Sequence, residues 1–185
     1  MSGDPTAAVA EAERAERRAW FERVIGELHD RYAGLTEGEP ASYIPQLAEV
    51  DPDVFAIAAV TTHGERVGVG ALDHRFTIQS ISKLLVYGLA LEAHGRDAVL
   101  ERVGVAPTGD RFNAIVLADE QNRAPNPMVN AGAIAVTDLV PGGSIQERVE
   151  ALQTTFERYV GRRPEVDRAV WDSEREPGHR NRAIA

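Results

Sequence analysis

The sequence predicts an α/β fold of the α+β type, in which one antiparallel β-hairpin is combined with about seven helices. Two runs rich in β-branched residues, 54–62 and 65–71, flank a turn at 63–64 and predict the hairpin. Apolar residues recur at helical spacing over 5–32, and they occupy nearly every side of the segment 80–93. Because 43 % of the 185 residues are hydrophobic, the chain has enough apolar material for one domain with a buried core.

The first predicted helix has a defined start and one apolar face. Asp4 is expected to be its N-cap and Pro5 its first residue, and the helix runs to Tyr32 with Gly34 as its stop. Charged residues occupy the opposite face, so we interpret it as a packing helix and assign it no chemistry. Its apolar face consists of Trp20, Phe21, Val24, Ile25, Leu28 and Tyr32.

The first strand of the hairpin, 54–62, is apolar along almost its whole length. Strands of this composition are usually covered on both faces, and two strands alone rarely form a stable sheet. The strand therefore predicts neighbouring strands that this sequence does not contain. We expect that the chain lacks a C-terminal part.

The remainder of the chain is predicted to be mainly helical. The helix over about 80–93 is hydrophobic on every side and is expected to be buried, with Gly95 beyond its end. Ser144 and Glu147 have the spacing of a capping box, which opens a helix that stops at Gly161. Further helices are expected over about 129–139, over about 164–171 and from 173 onward.

Composition argues against several kinds of function. A net charge of −9 without a basic block makes a nucleic-acid partner improbable. The chain has no cysteine and its five histidines lack metal-ligand spacing, so no disulfide, metal or cofactor is predicted. The start lacks a basic and apolar leader, and the longest apolar stretch, 84–91, is too short to cross a bilayer. These features predict a cytoplasmic protein without a membrane partner.

The only lysine lies three residues after a serine. Lys83 follows Ser80 in a Ser-x-x-Lys pattern, whereas nineteen arginines supply the other cations. A buried lysine can lose its proton and an arginine cannot, and both burial and a helix N-terminus lower a lysine pKa. In the first turn of a helix the two side chains share a face, so the amine can activate the hydroxyl as a nucleophile. The pattern predicts acyl-enzyme chemistry; the alternative is a surface lysine.

Five blocks of the sequence resemble the serine-dependent glutaminases. They occur in that family's order and cover most of the chain from about 41 to 185. The blocks are YIPQL at 43–47, FTIQSISK at 76–83, VGV with GD at 103–110, NPMVNAGAI at 126–134, and SE followed by GHRNRA at 173–183.

The resemblance implies the fold of the β-lactamases and transpeptidases, an antiparallel sheet flanked by helices with a helical subdomain. It implies that residues 1–185 are the N-terminal portion of a single domain. Within that portion we expect a packing helix at 1–34, the hairpin and nucleophile helix at 35–95, and the helical subdomain at 96–185. Sheet strands, substrate-binding tyrosines and one oxyanion donor would lie in the part of the family that extends past this chain.

The resemblance also implies a reaction, the hydrolysis of L-glutamine to L-glutamate and ammonia by a cofactor-free amidohydrolase. It makes Ser80 the nucleophile, Lys83 the general base and Tyr43 a hydroxyl that relays or steadies the proton. A homo-oligomer, dimer or tetramer, is implied as well. The implied substrate-binding residues are Ser80, Asn130, Glu174, Asn181 and, as an extra contact, Gln79.

Other interpretations stay open at this point. The chain could be a β-lactamase-like acylase of another amide, although a Glu174 and Asn181 pair suited to an α-amino acid argues against it. It could also be a catalytically inactive fragment of a glutaminase. For single residues, Asn130 could cap the helix that follows it, Tyr43 could anchor a loop, and Glu174 could be a solvated carboxylate at a helix start.

Overall fold

The computed structural model describes residues 5–111 and 123–175. The chain divides into two compact units, Met1–Phe76 and Thr77–Ala185. The first unit contains helix α1 (Pro5–Tyr32), the single turn α2 (Pro45–Ala48), and strands β1 (Ala56–Val60) and β2 (Arg66–Gly70). In the described residues of the second unit the regular elements are helices, and one isolated parallel bridge joins Val103 to Ala124.

Helix α1 has the predicted bounds, but its last turn is not closed by the predicted glycine. Gly34 does not adopt the left-handed conformation, whereas the next glycine, Gly38, has φ 106°. The last turn is instead closed by backbone bonds from Ala33 N to His29 O, at 2.8 Å, and from Leu35 N to Tyr32 O, at 3.0 Å. The helix therefore ends without a glycine cap.

The predicted hairpin is confirmed. Strands β1 and β2 pair antiparallel with Ala56 opposite Gly70 and Val60 opposite Arg66. The connection is closed by the Thr61 N to Glu65 O bond, at 2.9 Å. Gly64 has φ 82°, a conformation that is strained for other residues and explains why glycine occupies this turn.

The expected burial of β1 on both faces is wrong in this chain. Alternate residues of the strand are exposed, and Val60 has 66 % of its surface accessible. The sheet has two strands in the described residues, and helix α1 packs against both of them. One face is therefore covered and the other is open. The covered face carries Ile57, Ala59, Val67 and Val69, and the open face carries Ala56, Ala58, Val60, Arg66 and Gly68.

The second unit is built around helix α3 (Ser82–Leu100), which follows a 3₁₀ turn at Gln79–Ile81. Gly95 interrupts α3 with φ 78° and ψ 166°, close to the predicted helix end. Helices α4 (Asn130–Thr137) and α5 (Ile145–Val160) pack against α3. The core of this unit contains Val86, Leu89, Ala90, Val99, Val103, Ala124, Val129, Ala131, Val136 and Val140.

Helix α3 is not buried on every side, as its composition had suggested. Val86 and Ala90 face the core, whereas Ile81 in the preceding turn and Leu84 in α3 are 58 % and 64 % exposed. The helix therefore has one apolar side that nothing in the described residues covers. This side lies next to the Ser-x-x-Lys segment.

The helix boundaries after residue 140 are partly as predicted. The capping box is confirmed, since Glu147 N donates to Ser144 Oγ and Ser144 N donates to Glu147 Oε2, each at 3.2 Å. Gly161 ends α5 in the left-handed conformation. The predicted break between 171 and 173 is wrong, because one helix, α6 (Arg168–Arg175), runs through both positions. Its first turn is held by Asp167, whose Oδ1 accepts from Val170 N at 3.1 Å.

Candidate active site

Ser80 lies in the 3₁₀ turn that leads into α3, and its side chain is exposed. The residue before it, Gln79, has φ 41°, which places a non-glycine residue in the left-handed region. Such a conformation costs about 1–3 kcal/mol and is typical of functional turns. The side chain of Gln79 donates to Thr77 Oγ1 at 3.2 Å, and Ser82 Oγ donates to Gln79 O at 2.7 Å. Ser82 is thus bonded to the backbone of the turn.

Lys83 occupies the first turn of α3 and reaches across to the start of α4. Its Nζ donates to the carbonyl oxygen of Met128 at 3.0 Å and to Oδ1 of Asn130 at 2.6 Å. Desolvation by burial lowers the pKa of the Lys83 amine below its ordinary value, because the charged form loses hydration. The only amine side chain in the sequence is therefore anchored by two acceptors, and its deprotonation is easier than that of a hydrated lysine.

Asn130 does not cap α4, so that interpretation of the sequence is wrong. The N-cap is Val129, which makes no side-chain cap bond, and Asn130 is the first helical residue. The side-chain oxygen of Asn130 accepts from Lys83 instead. The amide NH₂ of Asn130 remains on the other side of the group as a donor pair.

The structure does not join Ser80 to Lys83 directly. Among the described residues, both hydrogen bonds of the Lys83 amine go to the segment 128–130. Three apolar residues of these segments, Met128, Ile81 and Leu84, are exposed. The nucleophile and base candidates therefore share one helix start that is open to solvent.

The loop before α4 is held by Asn126. Its Oδ1 accepts from Met128 N at 3.0 Å and from Val129 N at 3.2 Å, and its Nδ2 donates to Ala106 O at 3.0 Å. This arrangement is an Asx-type motif at a helix start. Sequence reasoning missed Asn126 and the Met128 carbonyl. For Asn126, the available signal was an asparagine followed by a proline just before a helix. The Met128 carbonyl could not be found in this way, because a backbone group leaves no signal in the sequence.

Two other predicted site residues lie in other elements. Tyr43 belongs to the first unit, just before α2, and 59 % of its surface is exposed. Glu174 is half-buried in the last turn of α6, so the prediction of a helix-start carboxylate is wrong. Within the described residues Glu174 forms no hydrogen bond with the Lys83–Asn130 pair. Asn181 lies outside the described residues.

Neither a metal site nor a membrane span is found in the described part of the chain. No group of three or more histidine, aspartate or glutamate residues is placed to hold a metal ion in residues 5–111 and 123–175. In the same ranges, every helix is too short or too polar to cross a bilayer.

Comparison with known proteins identifies the family of this chain. The family model described as Glutaminase matches residues 38–185. The chain belongs to the glutaminase family. A curated glutaminase from Nostoc sp. is 55 % identical over 163 residues, which are 88 % of this chain and 49 % of that protein.

Solved glutaminase structures share the fold. The native form of Mglu superposes with a TM-score of 0.81 at 39 % identity, covering 89 % of this chain and 41 % of Mglu. A probable glutaminase from Bacillus subtilis, complexed with 6-diazo-5-oxo-L-norleucine, superposes with a TM-score of 0.70 at 34 % identity. This match covers 85 % of our chain and 46 % of the Bacillus subtilis chain. The resemblance read from the sequence and the predicted fold class are confirmed. This glutaminase chain spans about half the length of the curated relatives it matches.

Proposed function

We propose that this glutaminase chain carries the nucleophile and base of an amidohydrolase that converts L-glutamine and water to L-glutamate and ammonia. The observation that supports this most directly is the anchored Lys83, three residues after Ser80 at a helix start, in a chain of the glutaminase family. Lysine rather than arginine is needed here because only lysine can be neutral at usable pH.

The reaction proceeds in two balanced steps. Neutral Lys83 takes the proton from the Ser80 hydroxyl, and Ser80 Oγ attacks the side-chain carbonyl carbon of glutamine. The C–N bond then breaks, the leaving nitrogen takes the proton from Lys83, and ammonia departs from a glutamyl ester on Ser80. Lys83 then takes a proton from water as that water attacks the ester carbon, the bond from this carbon to Ser80 Oγ breaks, and Lys83 returns the proton to Ser80 Oγ, so that glutamate and free Ser80 result. Backbone N–H groups at the start of the helix help to hold the oxyanion in both steps.

Substrate recognition is assigned to polar groups of complementary charge. The Glu174 carboxylate is proposed to pair with the substrate α-ammonium, and the amide N–H donors of Asn130 to bond a substrate oxygen. Asn181 and Gln79 are proposed as further polar contacts. Tyr43 is proposed to relay or steady the proton between Ser80 and Lys83.

A second candidate, a chain that is inactive by itself, is favoured by one observation. The uncovered side of α3 at Ile81 and Leu84 leaves apolar surface exposed close to Ser80 in the same helix start. A site open to water loses much of its electrostatic stabilisation of an oxyanion. The single-domain division at 1–34, 35–95 and 96–185, a homo-oligomer and a cytoplasmic location also remain proposals.

Ammonia release from L-glutamine by the purified chain tests the function, with Ser80→Ala beside it. We expect release by the wild-type chain that is lost in Ser80→Ala, while Ser82→Ala serves as the matched control and keeps most of the activity. Activity that survives Ser80→Ala would contradict the mechanism. No release by any variant would favour the inactive-chain candidate.

A covalent probe separates these outcomes further. The glutamine analogue 6-diazo-5-oxo-L-norleucine carries a reactive diazoketone where glutamine has its amide. Mass spectrometry after incubation is expected to locate a single adduct on Ser80, which is absent in Ser80→Ala and present in Ser82→Ala. An adduct at another residue would assign the nucleophile elsewhere.

A further inference from the structure

We propose that Asn126 is a positioning residue for the reaction, because its side chain holds the loop that presents two hydrogen-bond acceptors to the Lys83 amine. The two acceptors are the Met128 carbonyl and Asn130 Oδ1. Asn126 touches neither Ser80 nor Lys83 in the hydrogen bonds of the structure, so it acts through the loop. The inference rests on the proposed function, since it assigns Lys83 as the base of that reaction.

The side chain of Asn126 ties the loop at both ends. Its Oδ1 accepts from the backbone N–H groups of Met128 and Val129, which orients the peptide groups that precede α4. Its Nδ2 donates to the carbonyl of Ala106, in a neighbouring segment. An asparagine side chain offers two acceptor and two donor positions, and here both the oxygen and the nitrogen are used.

The neighbouring segment is itself fastened to the loop by backbone bonds. Gly104 N donates to Ala124 O and Ala106 N donates to Pro125 O, each at 2.9 Å. A Cβ at Gly104 would lie 2.7 Å from Pro125 O, so the close approach requires glycine. The Asn126 amide therefore joins a loop to a support that is held independently.

The helix that follows leaves the loop little freedom. A Cβ at Gly132 would collide with the carbonyl oxygen of Asn126, which shows that the loop lies directly against the first turn of α4. Pro127 fixes its own φ and restricts Asn126 to an extended or turn conformation. The loop that carries Asn126 and the Met128 carbonyl is thus fixed against the first turn of α4, which carries Asn130.

The two acceptors fix the directions of two hydrogens on Lys83 Nζ. A neutral amine has two hydrogens and one lone pair, and the Met128 carbonyl and Asn130 Oδ1 each accept one hydrogen. The lone pair of the neutral amine then points in the remaining direction, away from both acceptors. An amine held in this way can take the Ser80 proton without first rearranging its own bonds, which is the benefit of a preorganised base.

The single lysine of the chain makes this inference measurable without turnover. A sample labelled with ¹³C at lysine Cε gives one NMR signal, that of Lys83. In Asn126→Ala we expect that signal to move to the position of an exposed lysine, and its titration midpoint to rise toward that of free lysine, because water reaches the amine. Ammonia release is expected to fall about 10- to 100-fold in kcat, with little change in KM.

Two further variants make the result specific. Thr108→Ala is the matched control, because Thr108 forms a similar side-chain turn with Asp110 N, at 3.0 Å, and has no bond to the 126–130 loop. It is expected to leave the lysine signal unchanged. Asn126→Ser retains a neutral acceptor for the Met128 and Val129 N–H groups and is expected to keep the signal near that of the wild type.

The outcomes decide between the proposals. A folded Asn126→Ala with the wild-type lysine signal overturns the positioning role, and so does a folded Asn126→Ser with the signal of an exposed lysine. Failure of both Asn126 variants to fold, judged by circular dichroism, would make Asn126 merely structural and also overturn it. If the wild-type chain releases no ammonia, the proposed function of this chain fails while the lysine signal still tests the inference.

Discussion

The Nζ atom of Lys83 lies 2.6 Å from Oδ1 of Asn130, although the two residues are 47 positions apart in the sequence. The bond joins the first turn of α3 to the first residue of α4. Both helices also pack against each other through the core of the second unit. The candidate base is therefore positioned by the same packing that stabilises this unit.

Replacing the base by arginine tests whether Lys83 acts by its charge or by its lone pair. Lys83→Arg keeps a cation and hydrogen-bond donors, but a guanidinium does not give up its proton in proteins. We expect glutamine hydrolysis to fall by about 10²–10⁴-fold, the usual contribution of a general base. Ammonia release measures this, with the exposed exchange Arg23→Lys in α1 as the control. A Lys83→Arg chain with wild-type rates would remove Lys83 from the proton transfer.

The Asn130 side chain is expected to matter for the rate. Asn130→Ala removes the acceptor at 2.6 Å and leaves the Lys83 amine with the Met128 carbonyl as its remaining partner. We expect kcat to fall about 10- to 100-fold, because a misplaced base loses alignment with the nucleophile. Thr137→Ala, in the same helix with its hydroxyl bonded to Ala133 O, is the control and should keep its rate. Equal loss in both variants would indicate a general effect on α4.

The pH dependence of hydrolysis follows from the environment of Lys83. Burial lowers the pKa of this amine from its ordinary value of 10.5. A general base works only when it is deprotonated, so kcat/KM is expected to rise with pH and to level off once the pH exceeds the Lys83 pKa. The rising limb should therefore be centred below 10.5. A profile centred at the pKa of a free lysine would show that the base is hydrated during the reaction.

Replacing either of two helical glycines by alanine is expected to change the free energy of unfolding, in a different direction at each position. A Cβ at Gly132 would collide with the carbonyl of Asn126, whereas a Cβ at Gly88 would meet the Tyr159 hydroxyl at 3.6 Å, an ordinary contact. Gly132→Ala is expected to lower the free energy of unfolding by about 1–3 kcal/mol through overpacking. Gly88→Ala is expected to be neutral or to raise it by up to about 1 kcal/mol, because alanine favours a helix interior. Urea unfolding of both variants gives the comparison, and equal effects would contradict the close approach at Gly132.

The confirmed predictions are those that depend on residues close together in the chain. The turn at Gly64, the capping box of Ser144 and Glu147, and the stop at Gly161 each depend on bonds within a few residues. The family resemblance likewise rests on short blocks that can be read in order. These signals survive in the sequence because the physics behind them is local.

The wrong predictions concern surfaces rather than segments. The composition of β1 and α3 predicted burial on all sides, but Val60, Ile81 and Leu84 are exposed because burial depends on which elements pack around them. The end of α1 was assigned to Gly34, whereas backbone bonds at Ala33 and Leu35 close it. An apolar side chain indicates a need for burial and does not specify the element that supplies it.

By itself, the sequence determined the glutaminase family, the hairpin and the Ser-x-x-Lys spacing at Ser80 and Lys83, since motif and spacing carry that information. Only the tertiary structure decided what Lys83 contacts. Its partners are a backbone carbonyl at Met128 and a side chain at Asn130, held by the loop bonds of Asn126. A hydrogen bond exists only where two groups meet within about 3 Å in the correct direction, and across 47 residues that meeting is set by the packing of α3 against α4.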